Sequence, residues 1–277
     1  MRRTVAFALL VAIWAAPVCA GKQDPVDLSG LVNYAYASVF GSGLYVVAGQ
    51  SVNLYRIPVS FTVYRAPEER WTARVRLPMT LGFFEFQVED LFEGGFPDDL
   101  HTFAIVPTVE FAVPVGERWR LNPTAGFGAA KDTAGGPVVW VYDVGISAYF
   151  EQPWSRSKLT VGDTFLYAGS KAAGVRTDAL GMIEVGIDYT HHLGFNAGRR
   201  RAMGSIYGIA RYYLNDVEFV RANGEPVTVD AEYEAGISFG TDPPYQWWKI
   251  QVPRVGLGYR YSGRDIAAIR LTVGFPF

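Results

Sequence analysis

Residues 266 to 277 read IAAIRLTVGFPF, and within them Ile269, Leu271, Val273, Phe275 and Phe277 alternate with Arg270, Thr272, Gly274 and Pro276. A period of two places every second side chain on the same face of an extended strand, so one face of this stretch is apolar and the other polar. The same period recurs upstream. Ile183, Val185, Ile187 and Tyr189 stand against Glu184, Gly186, Asp188 and Thr190, and comparable stripes run Val75 to Phe83, Tyr142 to Phe150, Tyr233 to Phe239 and Val255 to Tyr261. Each stripe is about ten residues long, the length a tilted strand needs to cross a bilayer. Soluble strands usually stop at about five or six.

The stretch that ends on Phe277 resembles the carboxy-terminal assembly signal of bacterial outer-membrane proteins, carried by Ile269, Leu271, Val273, Phe275 and Phe277. The other end of the chain agrees. Arg2 and Arg3 precede an apolar run from Val5 to Ala16, and Val18-Cys19-Ala20 suits cleavage before Gly21. This predicts a signal peptide over 1–20, because the run is too short for a membrane anchor. Cys19 is then removed with it, and Val18 is bulkier than a lipidation site prefers. A short periplasmic segment, 21–30, would lead into a barrel over 31–277.

Composition narrows the class. Thirty glycines, 15% aromatic residues and only 19% charged residues suit an all-β chain with many turns. Loss of Arg2 and Arg3 takes the basic count from 25 to 23 against 27 acids, a net charge of about −4, and no basic block suggests nucleic acid. Neither a metal nor another cofactor is indicated.

Twelve strands are expected: Leu31 to Phe40, Val52 to Tyr64, Trp71 to Phe84, Thr102 to Val113, Trp119 to Ala130, Val139 to Phe150, Lys158 to Ala168, Thr177 to His191, Ala202 to Tyr213, Ala231 to Gly240, Lys249 to Tyr261 and Ile266 to Phe277. Ten is the alternative if the first is an arm. Pro58, Pro78 and Pro107 are expected at bulges, since proline cannot donate to the ladder. Connections alternate between short turns and longer loops, which predicts a closed antiparallel transmembrane barrel with both termini in the periplasm. The longer connections would be Gly41 to Ser51, Glu85 to His101, Lys131 to Val138, Gly169 to Arg176, Leu214 to Asp230 and Ser262 to Asp265. Trp71, Trp119, Trp154, Trp247 and Trp248 fall at the short turns, and Trp140 at the opposite rim, as interfacial rings should.

Opposite the apolar stripes lie Arg74, Arg76, Glu110, Asp143, Glu184, Asp188, Arg211, Glu232, Glu234, Arg254, Arg260 and Arg270. These are expected to form a lumen charge network, because an Arg or Lys facing hydrocarbon at the midplane costs about 2–4 kcal/mol. A polar pathway for a solute is the sharper alternative.

Candidate chemistry is sparse, and the chain is expected to be non-enzymatic. His191 and His192 are placed at the periplasmic rim, and His101 follows Asp98 and Asp99 in a long loop where it offers the alternative of an outer-leaflet hydrolase or protease. The acidic run Glu85 to Asp99 lacks calcium-loop spacing. Arg199 to Arg201 is expected to reach lipid phosphates.

With about twelve strands and an aromatic terminus, the chain resembles the translocator barrel of autotransporters, in particular the solitary kind without a passenger. That resemblance implies outer-membrane lipid and lipopolysaccharide as surroundings, the barrel-assembly machinery as partner of the last strand, and a structural, binding or weak pore role. A soluble periplasmic β-sandwich is the competing fold.

Overall fold

The structure, a computed structural model, describes residues 42–47, 50–84, 102–132, 138–172, 178–220, 226–247, 250–263 and 266–277. These residues form β1 (Gly43–Val47), β2 (Gln50–Arg65), β3 (Thr72–Phe84), β4 (Thr102–Ile105), β5 (Thr108–Val115), β6 (Trp119–Asp132), β7 (Val138–Trp154), β8 (Ser157–Ala172), β9 (Asp178–Ala197), β10 (Arg200–Val220), β11 (Pro226–Trp247), β12 (Ile250–Ser262) and β13 (Ile266–Val273). β4 and β5 lie end to end between β3 and β6, so the thirteen runs occupy twelve positions in one antiparallel sheet. Apart from β4 and β5, which share one position, each strand pairs with the next in sequence, and β13 also pairs with β1.

The expected strand Leu31 to Phe40, the expected signal peptide and Cys19 lie outside the described residues, as do His101 and the acidic run. The first described strand falls instead inside the stretch expected as a loop. Gly43–Val47 is short and glycine-flanked, so its own pattern reads as a connection. Ladders on both sides make it a strand, with Leu44 opposite Ile269 of β13 and Asn53 of β2. Partners on both edges override weak local preference. Ser42 fixes its start: the hydroxyl accepts from the Arg56 N–H at 2.7 Å and donates to the Arg56 carbonyl at 2.9 Å.

The prolines correct a second expectation. None causes a bulge. Pro58 and Pro78 stand directly opposite each other with regular pairing on both sides. On its other edge Pro78 faces Val106, between β4 and β5, whose N–H donates to the Pro78 carbonyl at 3.5 Å. Pro107 interrupts that ladder without shifting it, since Met79 pairs with Ile105 and Arg76 with Thr108 in one continuous register. The register shifts instead between Thr62 and Tyr64, Arg201 and Met203, Tyr212 and Val217, and Gly240 and Tyr245.

Several strands outrun their apolar stripes. β9, β10 and β11 reach 20, 21 and 22 residues. The expected loop Leu214 to Asp230, and the short turns expected between strands at His192 to Arg201 and Thr241 to Trp248, are therefore mostly strand among the described residues, because each hairpin satisfies its own backbone groups beyond the point where side-chain alternation ends. The last strand stops early. β13 ends at Val273, and Gly274 takes a φ of +103°.

Candidate functional site

Burial on this sheet is inverted relative to a water-soluble fold. Ile206, Tyr233, Ile237, Leu257, Tyr259 and Ile269 are all more than half exposed. The residues alternating with such positions are charged and buried: Asp188, Glu232, Glu234, Arg211 and Arg260 keep 3% of their surface or less. Strand alternation alone assigns these faces.

Register then decides which charges meet. Arg211 of β10 pairs with Glu184 of β9 on one side and Glu232 of β11 on the other, while Glu234 of β11 stands opposite Arg260 of β12. The centre is Glu234. Its Oε2 lies 3.0 Å from Arg211 Nη1 and 3.4 Å from Arg260 Nε, and its Oε1 accepts from Arg270 Nε at 2.7 Å and from the Tyr207 hydroxyl at 3.1 Å. Arg211 Nε reaches Glu184 at 2.6 Å, and Arg260 Nη1 reaches Glu232 at 3.4 Å. Gly258 makes room for the carboxylate, since a Cβ there would sit 2.6 Å from Glu234 Oε1.

A second knot lies beside the first. Arg254 Nη1 donates to both Asp188 oxygens at 3.0 Å and to the Ser205 hydroxyl at 3.0 Å, and Thr190 donates to Asp188 at 2.8 Å. Together the two knots hold Arg211, Arg254, Arg260 and Arg270 against Glu184, Asp188, Glu232 and Glu234, so the formal charges cancel. Such neutrality is what lets ionised groups remain away from water.

Arg74 and Arg76 stand apart from these knots, each close to half exposed, and share the buried Glu110 at 3.2 and 3.4 Å. Asp143 is half-buried opposite Gly126, whose Cβ would lie 2.7 Å from the Thr108 hydroxyl oxygen. The polar face is thus closely packed along β9 to β13 and more open around Arg74 and Arg76 of β3 and Ser60 and Thr62 of β2.

Two arrangements are not visible in the sequence. The residues Phe275 and Phe277, expected on the apolar face, turn instead toward the charged one: Phe275 lies beneath the Arg254 guanidinium, 4.5 Å from its ring centroid. The available signal is Gly274 with Pro276, a turn former and a residue that cannot extend a ladder. The second is Ser157, directly opposite His191, whose hydroxyl oxygen lies 2.8 Å from His191 Nδ1 and 2.9 Å from the Tyr189 hydroxyl. Cross-strand register joins residues that sequence spacing cannot. His192 is half-buried beside this pair, and Arg200 stacks over Tyr245 at 5.1 Å.

Aromatic rings gather where β-turns are short. Tyr64, Trp71 and Phe111 follow one another at 4.9 and 5.9 Å, Trp119 meets Phe150 at 5.1 Å, and Trp154 meets Tyr189 at 6.4 Å. At the other end Phe127 stacks on Trp140 at 5.5 Å. Among the described residues no cluster of His, Cys, Asp and Glu is arranged to hold a metal ion, and no helix is long and apolar enough to cross a membrane. No family model matches this chain, and no curated protein matches it.

Proposed function

We propose that this chain is an integral β-barrel of the bacterial outer membrane, its twelve strands closed through β1, with both termini on the periplasmic side and a lumen filled by the charge network. The observation that carries this reading is the inverted burial. Each large apolar side chain left in water forgoes roughly 1.5–3 kcal/mol of burial, and hydrocarbon is the surrounding that recovers it for a whole sheet face. Pairing of β13 with β1 supports closure, because a bilayer leaves no water for a free sheet edge. The two aromatic bands fit the two interfaces. Lipid and lipopolysaccharide surround such a barrel, and its last strand would engage the assembly machinery. The role we assign is a structural or binding scaffold of low conductance, built like a passenger-less translocator, because the larger part of the charged face is packed against itself.

The expected result is heat-modifiable migration: unheated protein in dodecyl sulfate runs apart from the boiled chain, and membranes release it only with detergent. A single band at both temperatures, with extraction by salt alone, would return the soluble sandwich to first place.

One observation favours a second reading, an interfacial hydrolase. Ser157 and His191 form a hydrogen-bonded nucleophile and base on the exposed face beside Trp154, where an acyl ester at the membrane surface could reach them. Ser157 Oγ would attack the ester carbonyl while its proton passes to His191 Nδ1 and then to the departing alcohol, and water would release the acid. Removal of a general base typically costs about 10²–10⁴-fold. Under this reading Ser157→Ala abolishes labelling by a fluorophosphonate and His191→Ala lowers fatty-acid release from phospholipid micelles by such a factor. An unlabelled wild-type protein excludes it.

A further inference from the structure

The segment Gly274–Phe277 makes a set of contacts that its position after the last strand does not require. Continuation of β13 would send Phe275 and Phe277 to the same face as Ile269, Leu271 and Val273. Instead the Gly274 N–H donates to the Arg254 carbonyl at 2.9 Å, still in line with the ladder, and its φ of +103° turns the residues after it off the strand path. That backbone conformation favours glycine.

The segment is then held at each residue. Phe275 takes the Arg254 guanidinium on its ring at 4.5 Å and packs edge-on against Phe277 at 4.6 Å. The Pro276 carbonyl accepts from Arg270 Nη2 at 2.6 Å. The Phe277 carbonyl accepts from the Tyr149 hydroxyl at 3.3 Å, and the two rings lie near parallel with centroids 6.5 Å apart. Arg254 and Arg270 also belong to the two charge knots, so the segment is tied to the centre of the polar face.

The receiving surface is shaped for a ring. Gly162 of β8 and Gly186 of β9 are direct register partners, and together they leave a flat gap in a face otherwise lined by side chains. A Cβ on Gly162 would lie 2.8 Å from the Phe277 ring, and one on Gly186 would enter it. Any larger residue at either position closes the gap.

We propose that Gly162, Gly186 and Tyr149 form a binding slot for a flat aromatic ring with a carbonyl acceptor beside it, and that Phe277 is its resident and displaceable occupant, so that the Gly274–Phe277 segment, anchored through Phe275 on Arg254, plugs the lumen. The slot stands on the contacts above, whereas the plug rests on the barrel reading. The segment has two apolar destinations, slot and lipid face. Its release exchanges one for the other, and removes two rings from the cross-section of the barrel.

The test uses full-length protein refolded in detergent, as wild type, as Phe275→Ala/Phe277→Ala, and as that double variant carrying Gly186→Val. The double variant should bind the tetrapeptide Gly-Phe-Pro-Phe in calorimetric titration, saturably, while wild type and the triple variant do not. In planar bilayers the double variant should conduct severalfold more than wild type, and added tetrapeptide should restore the low level. No binding by a double variant that keeps heat-modifiable migration overturns the slot. Binding without a change in conductance overturns the plug and leaves the slot. If wild type itself shows no heat-modifiable migration, the barrel reading fails, and the titration alone decides the slot. Gly162→Ala on the double variant is a milder block, and should weaken the tetrapeptide severalfold should the valine disturb folding.

Discussion

Replacing Glu234 by alanine is expected to destabilise the fold by about 3–5 kcal/mol, the range seen when one partner of a buried ion pair is removed. Arg211, Arg260 and Arg270 all point at this carboxylate, and at 3% exposure it has no water to share the load. The loss converts a neutral cluster into one with an uncompensated positive charge. Glu234→Gln should cost less, because the amide oxygen still accepts from Arg270 and Tyr207. Arg74→Ala should cost far less again, since the half-exposed guanidinium can be replaced by solvent and its partner Glu110 keeps Arg76. Reversible urea unfolding in lipid vesicles, followed by tryptophan emission, ranks the three. Equal midpoints for Glu234→Ala and Arg74→Ala would mean that the buried knots are not what holds strands β9 to β13 together.

Ile237→Arg carries the second large effect, and its size depends on the surroundings of the sheet. Ile237 is 64% exposed and sits in a row that runs across four strands through Ile206, Leu257 and Leu271. An exposed position on a water-soluble sandwich tolerates such a change within about 0.5 kcal/mol. At the midplane of a bilayer the same arginine costs about 2–4 kcal/mol. The expected outcome is a marked loss of folded protein in vesicles, while Ile237→Leu behaves as wild type. Unchanged folding of Ile237→Arg would show that the apolar face does not meet hydrocarbon.

These two substitutions fall on opposite sides of what the chain reveals before it is folded. Period-two alternation needs only neighbouring residues, so the faces of Ile183 to Thr190 and of Val255 to Tyr261 are legible in the sequence. The same rule puts the charged residues opposite the stripes. Strand ends are less legible, because backbone pairing continues past the last apolar residue wherever a hairpin partner is at hand. For that reason β10 and β11 run through a stretch that reads as loop, and β1 exists only because β2 and β13 flank it.

Residue order alone makes one face of each strand apolar and the other polar, down to the stripe of Ile269, Leu271 and Val273. Tertiary structure decided which arginine meets which carboxylate, that Ser157 faces His191, and that Phe275 and Phe277 leave the stripe they belong to. The first two depend on the register between strands, and the last on a gap made by two glycines, Gly162 and Gly186, that become neighbours only when β8 and β9 pair.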